Sequence, residues 1–546
     1  MRQITRWLLI LGSVCVGIAL LMEAPQLLHI VHPGWKGILV QLNSDEDAYL
    51  PRVQEALSGR PEQAAEAIIG DPNAVGLQGA AIERLFGSLF SFTGWRAATV
   101  LQIMDGIVPP LLFLSLFVFF VLAGFSKRQS LLGALLFVFL NLYGLNRPIY
   151  QAASFLPVVV ALVGIIMGCR GRLFLGILGG VILGALVGVY FWSWTFAWAW
   201  TGVLFLWLAG EWLFGRSMES RRMMLRLLLF VAVAAMAALP SLLDILRAAQ
   251  DPLYPLGVFR SGMHAGHRPE SLPYAVLFLF MAGGVLLAIA EKPRLFLRSR
   301  IVAVTILTSF LVSNQQVFHG VIFNFVSHYL FALACSAVMV LLFSIPLRSK
   351  WLLLSLLGSV VYLTTFAYDF LPSLVGQWSV GDEDFSEQHL ATALPVFDVL
   401  PRATVLSDPA TQYLVAGSTH HDIVYSIYLK NVLVTHDELA WRLCMTLLPI
   451  PAELRDLARL TIYPDAVGAF PDPAVRRSET ALITEACRQV DRDPGYWLRR
   501  FGVSYVLWDE KGQPVWDLSR LRVGLAAVGR GEGWSLWRVT PASPPG

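Results

Sequence analysis

Charged residues are scarce in this chain of 546 residues. They make up 14% of the sequence, against 56% hydrophobic residues, and the mean hydropathy is +0.61. Soluble proteins are roughly a quarter charged, so this chain has too few charges to cover a globular surface of its size. The shortage excludes a secreted or cytosolic globular enzyme, a disordered chain, a collagen and a nucleic-acid binder. It predicts that much of the surface faces lipid.

Cysteine is also rare, with five residues in the whole chain. Cys15, Cys169 and Cys335 lie in or beside hydrophobic runs, where packing explains them. Cys444 and Cys487 lie in a more polar C-terminal segment. The sequence leaves open whether these two form a disulfide, because it carries no information on the distance between them. We find no internal repeat along the chain.

The chain has many uncharged hydrophobic runs, and their length is close to that needed to span a bilayer. We count eleven, at residues 7–22, 99–124, 130–145, 150–168, 173–192, 195–214, 225–245, 272–290, 301–316, 329–346 and 351–369. The first run follows Arg2 and Arg6, as in a signal peptide. Because Pro25 disfavours cleavage after Ala24 and ten more runs follow, we interpret the first run as an uncleaved anchor.

The basic residues are unevenly distributed. Residues 371–546 contain 16 Lys and Arg against 21 Asp and Glu, a net charge of −5, which leaves 25 against 17, a net of +8, in residues 1–370. With the N-terminus inside, every short loop rich in Lys or Arg falls on the inner side, as the positive-inside rule requires. An odd number of spans then places residues 371–546 outside the membrane.

These patterns predict an α-helical polytopic membrane protein with a soluble domain. Residues 1–370 would form about eleven transmembrane helices, with a long first outer loop at residues 23–98. Residues 371–546 would form a C-terminal α/β domain on the outer side. We expect a multi-pass protein of a bacterial-type inner (plasma) membrane, with a cytoplasmic N-terminus and a periplasmic or other extracytoplasmic C-terminal domain.

The C-terminal segment has the composition of a soluble domain from Leu371 onward. Alternating patterns predict short strands at 403–407, 421–425, 431–434, 502–508 and 534–539, the last at a sheet edge, and helical stretches at 451–460 and 474–490. Strands that alternate with helices indicate a small α/β layer. The segment has no glycine-rich phosphate motif and no evident acid–base constellation. We therefore interpret it as a domain that shapes the substrate site or binds a partner.

The most informative stretch is residues 43–57, which begin Asn-Ser-Asp-Glu-Asp-Ala-Tyr. Apolar residues recur there at helical spacing and share one face: Leu50, Val53 and Leu57. A helix of this kind would lie in the outer membrane interface. Three consecutive carboxylates stand at its start.

These carboxylates, Asp45, Glu46 and Asp47, have two compatible interpretations. Ser44 followed three residues later by Asp47 is a capping-box pattern, and acids in a first turn suit the helix dipole. Three acids nevertheless exceed what a cap needs. Like charges close together raise one another's pKa, which suits a general base or a cation site.

Asp45-Glu46-Asp47-Ala48-Tyr49 resembles the D-E-x-x-Y signature in the first outer loop of the C-type (GT-C) polytopic glycosyltransferases. The chain is similar to their protein mannosyltransferases and bacterial aminoarabinose transferases, which use polyprenyl-phosphate sugars. The wider pattern agrees, with an inner N-terminus, a long first outer loop containing interfacial helices, about a dozen spans and an outer C-terminal domain. The resemblance implies a GT-C-like membrane domain that transfers a sugar from a polyprenyl-phosphate lipid to a glycan, lipid or protein acceptor at the outer membrane face.

The resemblance also implies roles for the motif residues. Asp45 takes the place of the catalytic acid, Glu46 the second acidic place and Tyr49 the aromatic one. A carboxylate has to accept the proton of the acceptor hydroxyl as its bond to the anomeric carbon forms. We therefore predict Asp45 as general base, Glu46 as a further catalytic residue, and Asp47, Tyr49 and Arg52 as substrate-binding. A divalent metal at the acids is left open, and no cofactor is assigned.

The departing lipid phosphate needs a cation for stabilisation, and the outer loops supply several. Arg147 lies between two hydrophobic runs, although it could simply mark the loop. The loop 251–269 contains four basic residues among small ones: Arg260, His264, His267 and Arg268. Such side chains suit phosphate oxygens, with Arg260 as the main contact. A solvated basic loop is the alternative interpretation.

Amides and a histidine at the ends of two hydrophobic runs form a third candidate cluster. It contains Asn314 and Gln315, followed by His328. An amide at the end of an apolar span costs free energy unless it forms hydrogen bonds. These side chains would bind sugar hydroxyls or, alternatively, form hydrogen bonds between neighbouring helices.

Two functions of other classes compete with the transferase. A transporter or lipid flippase would more often show charged or broken spans at mid-membrane and repeated halves, whereas the polar residues here cluster at one face. A membrane anchor for assembly through residues 371–546 would not need polar groups in four outer loops. The expected partners are a lipid-linked sugar donor, an acceptor and membrane lipids, and we expect no nucleic acid.

Overall fold

The computed structural model describes residues 2–42, 46–60, 79–146, 151–269, 271–291, 296–322, 326–345, 349–428, 432–462, 464 and 473–540. The chain divides into two compact units. Unit 1 comprises Met1–Pro25, Gln102–Asp244 and Ala265–Ser379, and unit 2 comprises Gln26–Leu101, Ile245–His264 and Val380–Gly546. The first outer loop and the C-terminal domain, which are far apart in sequence, therefore belong to the same unit.

In the part of the chain that the structure describes, each of the eleven predicted hydrophobic runs corresponds to one or more helices. These are Arg2–Ile30, Ala97–Leu122, Lys127–Leu140 with Leu142–Leu145, Gln151–Cys169, Leu173–Ala185, Phe191–Gly215, Met218–Ala249, Leu272–Glu291, Phe296–Ser313, Leu330–Ser344 and Lys350–Trp378. Within the described residues, six helices are long and apolar enough to cross a membrane, and four shorter ones are apolar. The predicted fold class, a polytopic helical membrane protein with a C-terminal sheet domain, is confirmed.

Glycine brings the helices Gln151–Cys169 and Leu173–Ala185 into close contact within unit 1. A Cβ atom on Gly179 would lie 2.8 Å from the carbonyl oxygen of Ala161, so a larger residue would force the backbones apart. Small residues at helix interfaces allow this close approach, which maximises van der Waals contact where no hydrophobic effect drives association. Unit 1 also contains the short helix Gln316–His319 and the strand β2 (Val321–Ile322), while β1 is His264–Ala265.

Unit 2 has shorter helices around a five-stranded sheet. Its helices, apart from the hydrophobic runs, are Glu46–Leu57, Ala81–Phe90, Tyr254–Arg260, Leu394–Asp398, Pro409–Ser418, His436–Leu447, Pro473–Arg492 and Pro494–Arg500. We call Glu46–Leu57 the motif helix, because it begins within the acidic motif. Short 3₁₀ turns at Asp382–Phe385 and Gln388–Thr392 lead into the sheet.

The apolar face of the motif helix is covered by protein. Val53 is fully buried and Leu57 nearly so. The helix packs between Ala81–Phe90 and Pro409–Ser418. Neighbouring helices of unit 2 therefore bury Val53 and Leu57, while Leu50 is half-buried, and the expectation that this helix lies in the outer membrane interface stays a prediction.

Helix Ala81–Phe90 has the exposed apolar face that the motif helix lacks. Ile82 and Phe86 are buried, whereas Leu85 and Leu89 are each 50% exposed. One apolar stripe inside and another outside is the pattern of a helix at a membrane surface. An interfacial helix in the first outer loop stays a prediction, and this helix is its better candidate.

The sheet of unit 2 has the strand order β4-β3-β5-β7-β6. Its strands are β3 (Thr404–Leu406), β4 (Asp422–Ile423), β5 (Val503–Asp509), β6 (Gly524–Gly531) and β7 (Trp534–Thr540). β3 pairs in parallel with β4 and β5, and β7 pairs antiparallel with β5 and β6. The predicted α/β layer is confirmed, as are the strands at 403–407, 421–425 and 502–508 and the helix at 474–490.

Three local expectations for this domain are wrong. The strand at 534–539 exists but is not at the edge, because β6 lies outside it; β6 has three glycines and so gives a weak strand pattern. Residues 451–460 form 3₁₀ turns at Ala452–Leu454 and Leu457–Arg459 instead of an α-helix. Of the predicted strand 431–434, the described residues 432–434 join no strand of the sheet.

Cys444 and Cys487 form a disulfide that joins helices His436–Leu447 and Pro473–Arg492, which settles the pairing that the sequence left open. The two cysteines are separated by 43 residues. We expect that replacing both by serine lowers the free energy of unfolding by about 3–4 kcal/mol, because the bond restricts the unfolded chain. Thermal unfolding of the purified protein measures this loss. The control is Cys15→Ser, a free thiol, and an equal shift in both variants would contradict the expectation.

Candidate active site

The predicted site residues are divided between the two units. Unit 2 contains Glu46, Asp47, Tyr49, Arg52, Arg260 and His264, and unit 1 contains His267, Arg268, Asn314, Gln315 and His328. Asp45 and Arg147 lie outside the described residues, so their roles stay predictions. Each unit is considered by itself.

Backbone and side-chain hydrogen bonds fix the start of the motif helix. Glu46 is 1% exposed, and its carboxylate accepts a hydrogen bond from the backbone N–H of Leu42 at 2.7 Å. Asp47 accepts one from the amide of Gln41 at 2.6 Å. Two of the three motif acids therefore hold the preceding segment against the helix, whereas the capping box of Ser44 and Asp47 includes a residue outside the described ones and stays a prediction. Tyr49, one turn on, is half-buried.

Arg52 is buried and forms its polar contacts with other residues of unit 2. Its guanidinium forms an ion pair with Glu83 at 2.8 Å, and both side chains are almost completely buried. It also donates a hydrogen bond to the carbonyl oxygen of Gly79 at 2.9 Å. The charge of Arg52 is thus compensated by Glu83, which ties the motif helix to helix Ala81–Phe90. The predicted substrate contact of Arg52 stays a prediction.

Four carboxylates near one edge of the sheet of unit 2 influence one another electrostatically. Asp408 lies two residues after the end of β3, and Asp509 is the last residue of β5. Because β3 and β5 are parallel, their carboxyl ends lie at the same edge. Glu387 and, from the motif helix, Asp47 are close enough to interact electrostatically with them. We call Asp47, Glu387, Asp408 and Asp509 the acid cluster.

The pKa of two members of the acid cluster, Glu387 and Asp408, is raised. Burial, together with the charges of Asp408, Asp47 and Asp509, raises the pKa of Glu387 to about 7. Burial also raises the pKa of Asp408, although hydrogen bonds from Thr411 lower it. A carboxyl group that exchanges its proton near neutral pH is therefore available beside Asp47, as general acid–base chemistry requires.

Asp408 and Asp509, like Asp47, have defined structural partners. Asp408 caps helix Pro409–Ser418, where one oxygen accepts hydrogen bonds from the N–H groups of Ala410 and Thr411. Its other oxygen is buried and has no hydrogen-bond partner among the described residues. Asp509 accepts a hydrogen bond from the ring of His389 at 2.7 Å. A buried carboxylate oxygen is left free to accept a proton or a hydrogen bond.

The raised pKa of Glu387 predicts how the stability of the protein depends on pH. Between the ordinary pKa of 4.5 and about 7, the folded protein holds a proton that the unfolded chain releases. The contribution of Glu387 is therefore fully present below about pH 4.5 and is lost as pH rises to 7. We expect Glu387→Gln to reduce the loss of thermal stability between pH 5 and 7.5. The exposed Glu453→Gln is the control, and equal pH dependence in Glu387→Gln and the wild type would contradict the expectation.

A second buried charge network lies at the other end of the motif helix. Arg402 donates to both oxygens of Glu55 at 2.8 and 2.9 Å and to Asp422 at 2.5 Å. Arg60 pairs with the same two carboxylates. Burial raises the pKa of Glu55, whereas Arg402 lowers it. The four charges balance, and they join the motif helix to β4.

Arg260 is fully buried in unit 2. Its guanidinium donates hydrogen bonds to the carbonyl oxygens of Val434, at 2.8 Å, and Val432. Burial lowers the pKa of Arg260 to about 10, so the side chain stays charged at neutral pH. The guanidinium therefore satisfies two carbonyl oxygens of the segment that was predicted as a strand. The predicted phosphate contact of Arg260 stays a prediction.

Two predicted residues of unit 1 belong to one polar and aromatic group. Gln315 donates a hydrogen bond to the hydroxyl of Tyr329 at 2.9 Å, and that hydroxyl lies 2.8 Å from the hydroxyl of Thr195. His328 lies 2.5 Å from the Tyr190 hydroxyl. We define the span-end cluster as Tyr190, Trp192, Thr195, Gln315, His328 and Tyr329.

The span-end cluster combines the two interpretations of the sequence. Gln315 bonds to a neighbouring helix, as the packing alternative expects. His328 is only half-buried, and its ring centroid lies 4.5 Å from that of Trp192. Aromatic faces beside amide and imidazole groups can also bind sugar rings, which present both apolar and hydroxyl surfaces.

The remaining predicted residues have local contacts or are exposed. The amide of Asn314 donates to the carbonyl oxygen of Phe310 at 2.8 Å, one turn earlier in the helix. His267 lies 3.1 Å from the carbonyl oxygen of Val317, and Arg268 is exposed. His264, in unit 2, lies 3.1 Å from the carbonyl oxygen of Gly262. These residues therefore do not gather into a single basic site in either unit.

Sequence reasoning missed the acid cluster, apart from Asp47. A signal was present, because Asp408 and Asp509 each stand at the end of a predicted strand, where ligands of α/β sheets commonly bind. Glu387 gave no such signal. Across the described part of the chain, no three His, Cys, Asp or Glu side chains are arranged to hold a metal ion. Asp45 lies outside that part, so the question of a metal at the motif stays open.

No family model and no curated protein matches the chain. Solved structures do. ArnT from Cupriavidus metallidurans bound to undecaprenyl phosphate is 13% identical with a TM-score of 0.39, covering 99% of this chain and all of ArnT. The apo state of the same ArnT is 14% identical with a TM-score of 0.38, covering 100% of both chains. Arabinofuranosyltransferase AftD from Mycobacteria is 14% identical with a TM-score of 0.44, covering 99% of this chain and 40% of AftD.

The chain is thus similar to ArnT and to an arabinofuranosyltransferase. Because each TM-score is below 0.5, no site residue, substrate or mechanism is transferred from these proteins to this chain.

Proposed function

We propose that the protein is a membrane glycosyltransferase that moves a sugar from a polyprenyl-phosphate-type donor to an acceptor at the outer membrane face. The observation that carries the proposal is the acidic motif at the start of a helix held beside buried carboxylates. Asp45 precedes Glu46 and Asp47 in that motif, and Asp47 interacts with Glu387. The supporting context is a chain with eleven hydrophobic helices and a soluble α/β domain.

In the proposed reaction the acceptor hydroxyl oxygen attacks the anomeric carbon of the donor sugar. The carboxylate of Asp45 takes the hydroxyl proton, and the bond between the anomeric carbon and the phosphate oxygen breaks. The polyprenyl phosphate leaves with the electron pair of that bond. Glu46 and Asp47 keep the motif in position, and Glu387 receives the proton from Asp45 and releases it to water, since its pKa lies near neutral.

The predicted sugar contacts of Gln315 and His328, which belong to unit 1, stay predictions. The N-terminus would be cytoplasmic and the residues of the C-terminal domain extracytoplasmic, in a bacterial-type inner membrane. The distribution of basic loops supports this orientation.

The test uses the full-length protein in proteoliposomes with a radiolabelled polyprenyl-phosphate sugar. We expect the label to leave the lipid, with one polyprenyl phosphate released for each sugar transferred to an acceptor or to water. A flippase would move the donor to the other leaflet with its glycosidic bond intact. Recovery of intact, relocated donor would therefore contradict the proposal.

Substitution of Arg260 is expected to affect folding more than donor binding. Arg260→Ala would leave the carbonyls of Val432 and Val434 buried without a charged donor, which costs about 1.5–3 kcal/mol. Thermal unfolding should record this loss, while the donor concentration at half-maximal rate stays unchanged at low temperature. Arg268→Ala, at an exposed position, is the control. If the variant needs more donor but unfolds like the wild type, Arg260 contacts the phosphate as the sequence predicted.

A further inference from the structure

An open cleft of about 610 Å³ lies on unit 2 and shares no residue with the motif or the acid cluster. Helix Pro473–Arg492 contributes one wall, and the segments around Arg455 and Arg522 contribute the others. Its charged lining consists of Arg455, Arg488, Asp491, Arg492 and Arg522. Four arginines against one aspartate give the lining a net charge of +3.

The single acid of the cleft is already neutralised. Arg455 is buried and donates to both oxygens of Asp491, at 2.8 and 3.0 Å. Arg520, beside the cleft, lies 3.9 Å from the same carboxylate. A carboxylate with two guanidinium partners cannot compensate the other arginines. Arg455 and Asp491 therefore form a fixed wall, and the positive charge of the cleft comes from the remaining three arginines.

Two of these three arginines are not held by a carboxylate. Arg488 pairs with Glu485 through an exposed ion pair. Arg492 and Arg522 are exposed, and in the part of the chain that the structure describes neither lies within ion-pairing distance of an acid. Guanidinium groups in this state can each present two parallel N–H donors to an oxyanion.

Arg522 occupies an unusual backbone conformation. Its φ angle is +52°, in the left-handed region that favours glycine. The residue ends the 3₁₀ turn Leu518–Leu521, which is fixed by hydrogen bonds from Ser519 to Asp517. An arginine at a position suited to glycine costs stability, and such strain persists where the side chain has a use. Here the side chain lines the cleft.

We propose that this cleft binds a phosphate-bearing ligand through Arg492 and Arg522, with Arg488 assisting. A phosphate group has the charge and the three oxygens that match several guanidinium forks, and the cleft is large enough for the group with an attached sugar or head group. The proposal does not depend on the glycosyltransferase proposal. A free sugar phosphate and a phospholipid head group share this chemistry.

The test is isothermal titration of the full-length protein in detergent with inorganic phosphate, at low salt. Saturable binding to the wild type is expected, and the double variant Arg492→Gln/Arg522→Gly should bind at least about tenfold more weakly, because it loses two charged hydrogen-bonding groups. Glycine suits the left-handed conformation, so this variant should unfold at or near the wild-type temperature. The control is Arg530→Gln, since Arg530 lies over Trp537, outside the lining of the cleft.

Absence of saturable binding, or equal phosphate affinity in the wild type and the double variant, would overturn the proposal. Two further titrations distinguish the sources of the ligand. Stronger binding of glucose 1-phosphate than of dihexanoylphosphatidic acid would assign the cleft to sugar phosphates. The reverse order would assign it to lipid head groups.

Discussion

Asp45→Asn is expected to lower sugar transfer by at least about 10²-fold, because an amide cannot take the proton of the acceptor hydroxyl. Binding of the donor should persist, since the substitution keeps the size of the side chain. Thermal stability should also change little. The measurement is the initial rate of label transfer from a polyprenyl-phosphate sugar in proteoliposomes, with protein amount and unfolding temperature determined on the same preparation.

Two matched variants separate catalysis from capping. Asp382→Asn makes the same chemical change at an exposed acid of unit 2 and should transfer sugar at the wild-type rate. Ser44→Ala removes the potential helix cap, and the capping interpretation expects it to cost about 1 kcal/mol of stability while Asp45→Asn costs little. If Asp45→Asn retains transfer, this residue is removed from the mechanism.

Arg402→Ala is expected to destabilise unit 2 by about 3–5 kcal/mol. The substitution leaves the buried carboxylates of Glu55 and Asp422 with Arg60 as the shared cation, and breaking one partner of a buried ionic network has a cost of this size. Because the network joins the motif helix to β4, the helix should also become accessible to proteases. Denaturant unfolding measures the first effect and limited proteolysis the second.

The control for Arg402 is an arginine in an exposed ion pair. Arg459 lies 3.0 Å from Asp456, and its side chain is 88% exposed. Such pairs contribute about 0–1 kcal/mol, so Arg459→Ala should unfold almost like the wild type. Equal stability of the two variants would mean that the network of Glu55 and Asp422 does not hold the motif helix in place.

The membrane helices could be predicted from sequence because burial in lipid leaves a direct record in composition. Among the described residues, every hydrophobic run corresponds to one or more helices, and even the short run 130–145 does so as Lys127–Leu140 followed by Leu142–Leu145. The soluble domain was harder. Strand β6 contains Gly524, Gly529 and Gly531 and is held by its pairing with β7, a tertiary interaction that local sequence does not report.

The candidate site was predictable only where one stretch of chain carries it. The acidic motif could be found because its acids are adjacent. The ion pairs of the residues that follow the motif could not be predicted, because their partners are distant in sequence. Arg52 pairs with Glu83, and Glu55 pairs with Arg402, 347 residues away. Arg260 shows the same limit. Its local sequence does not distinguish an exposed basic residue in a loop from a buried residue that donates hydrogen bonds to two carbonyl oxygens.

The composition of unit 2 has a consequence for how the protein is made. Residues Gln26–Leu101 belong with Val380–Gly546, so 278 residues are synthesised between the end of one part and the beginning of the other. At ribosomal rates of roughly 5–20 residues per second, the first outer loop waits about 15–55 s for its partner. During that time Glu55 lacks Arg402 and the apolar face of the motif helix lacks helix Pro409–Ser418. The first loop is therefore a late-folding element, exposed to proteases and chaperones until the C-terminus of the chain arrives.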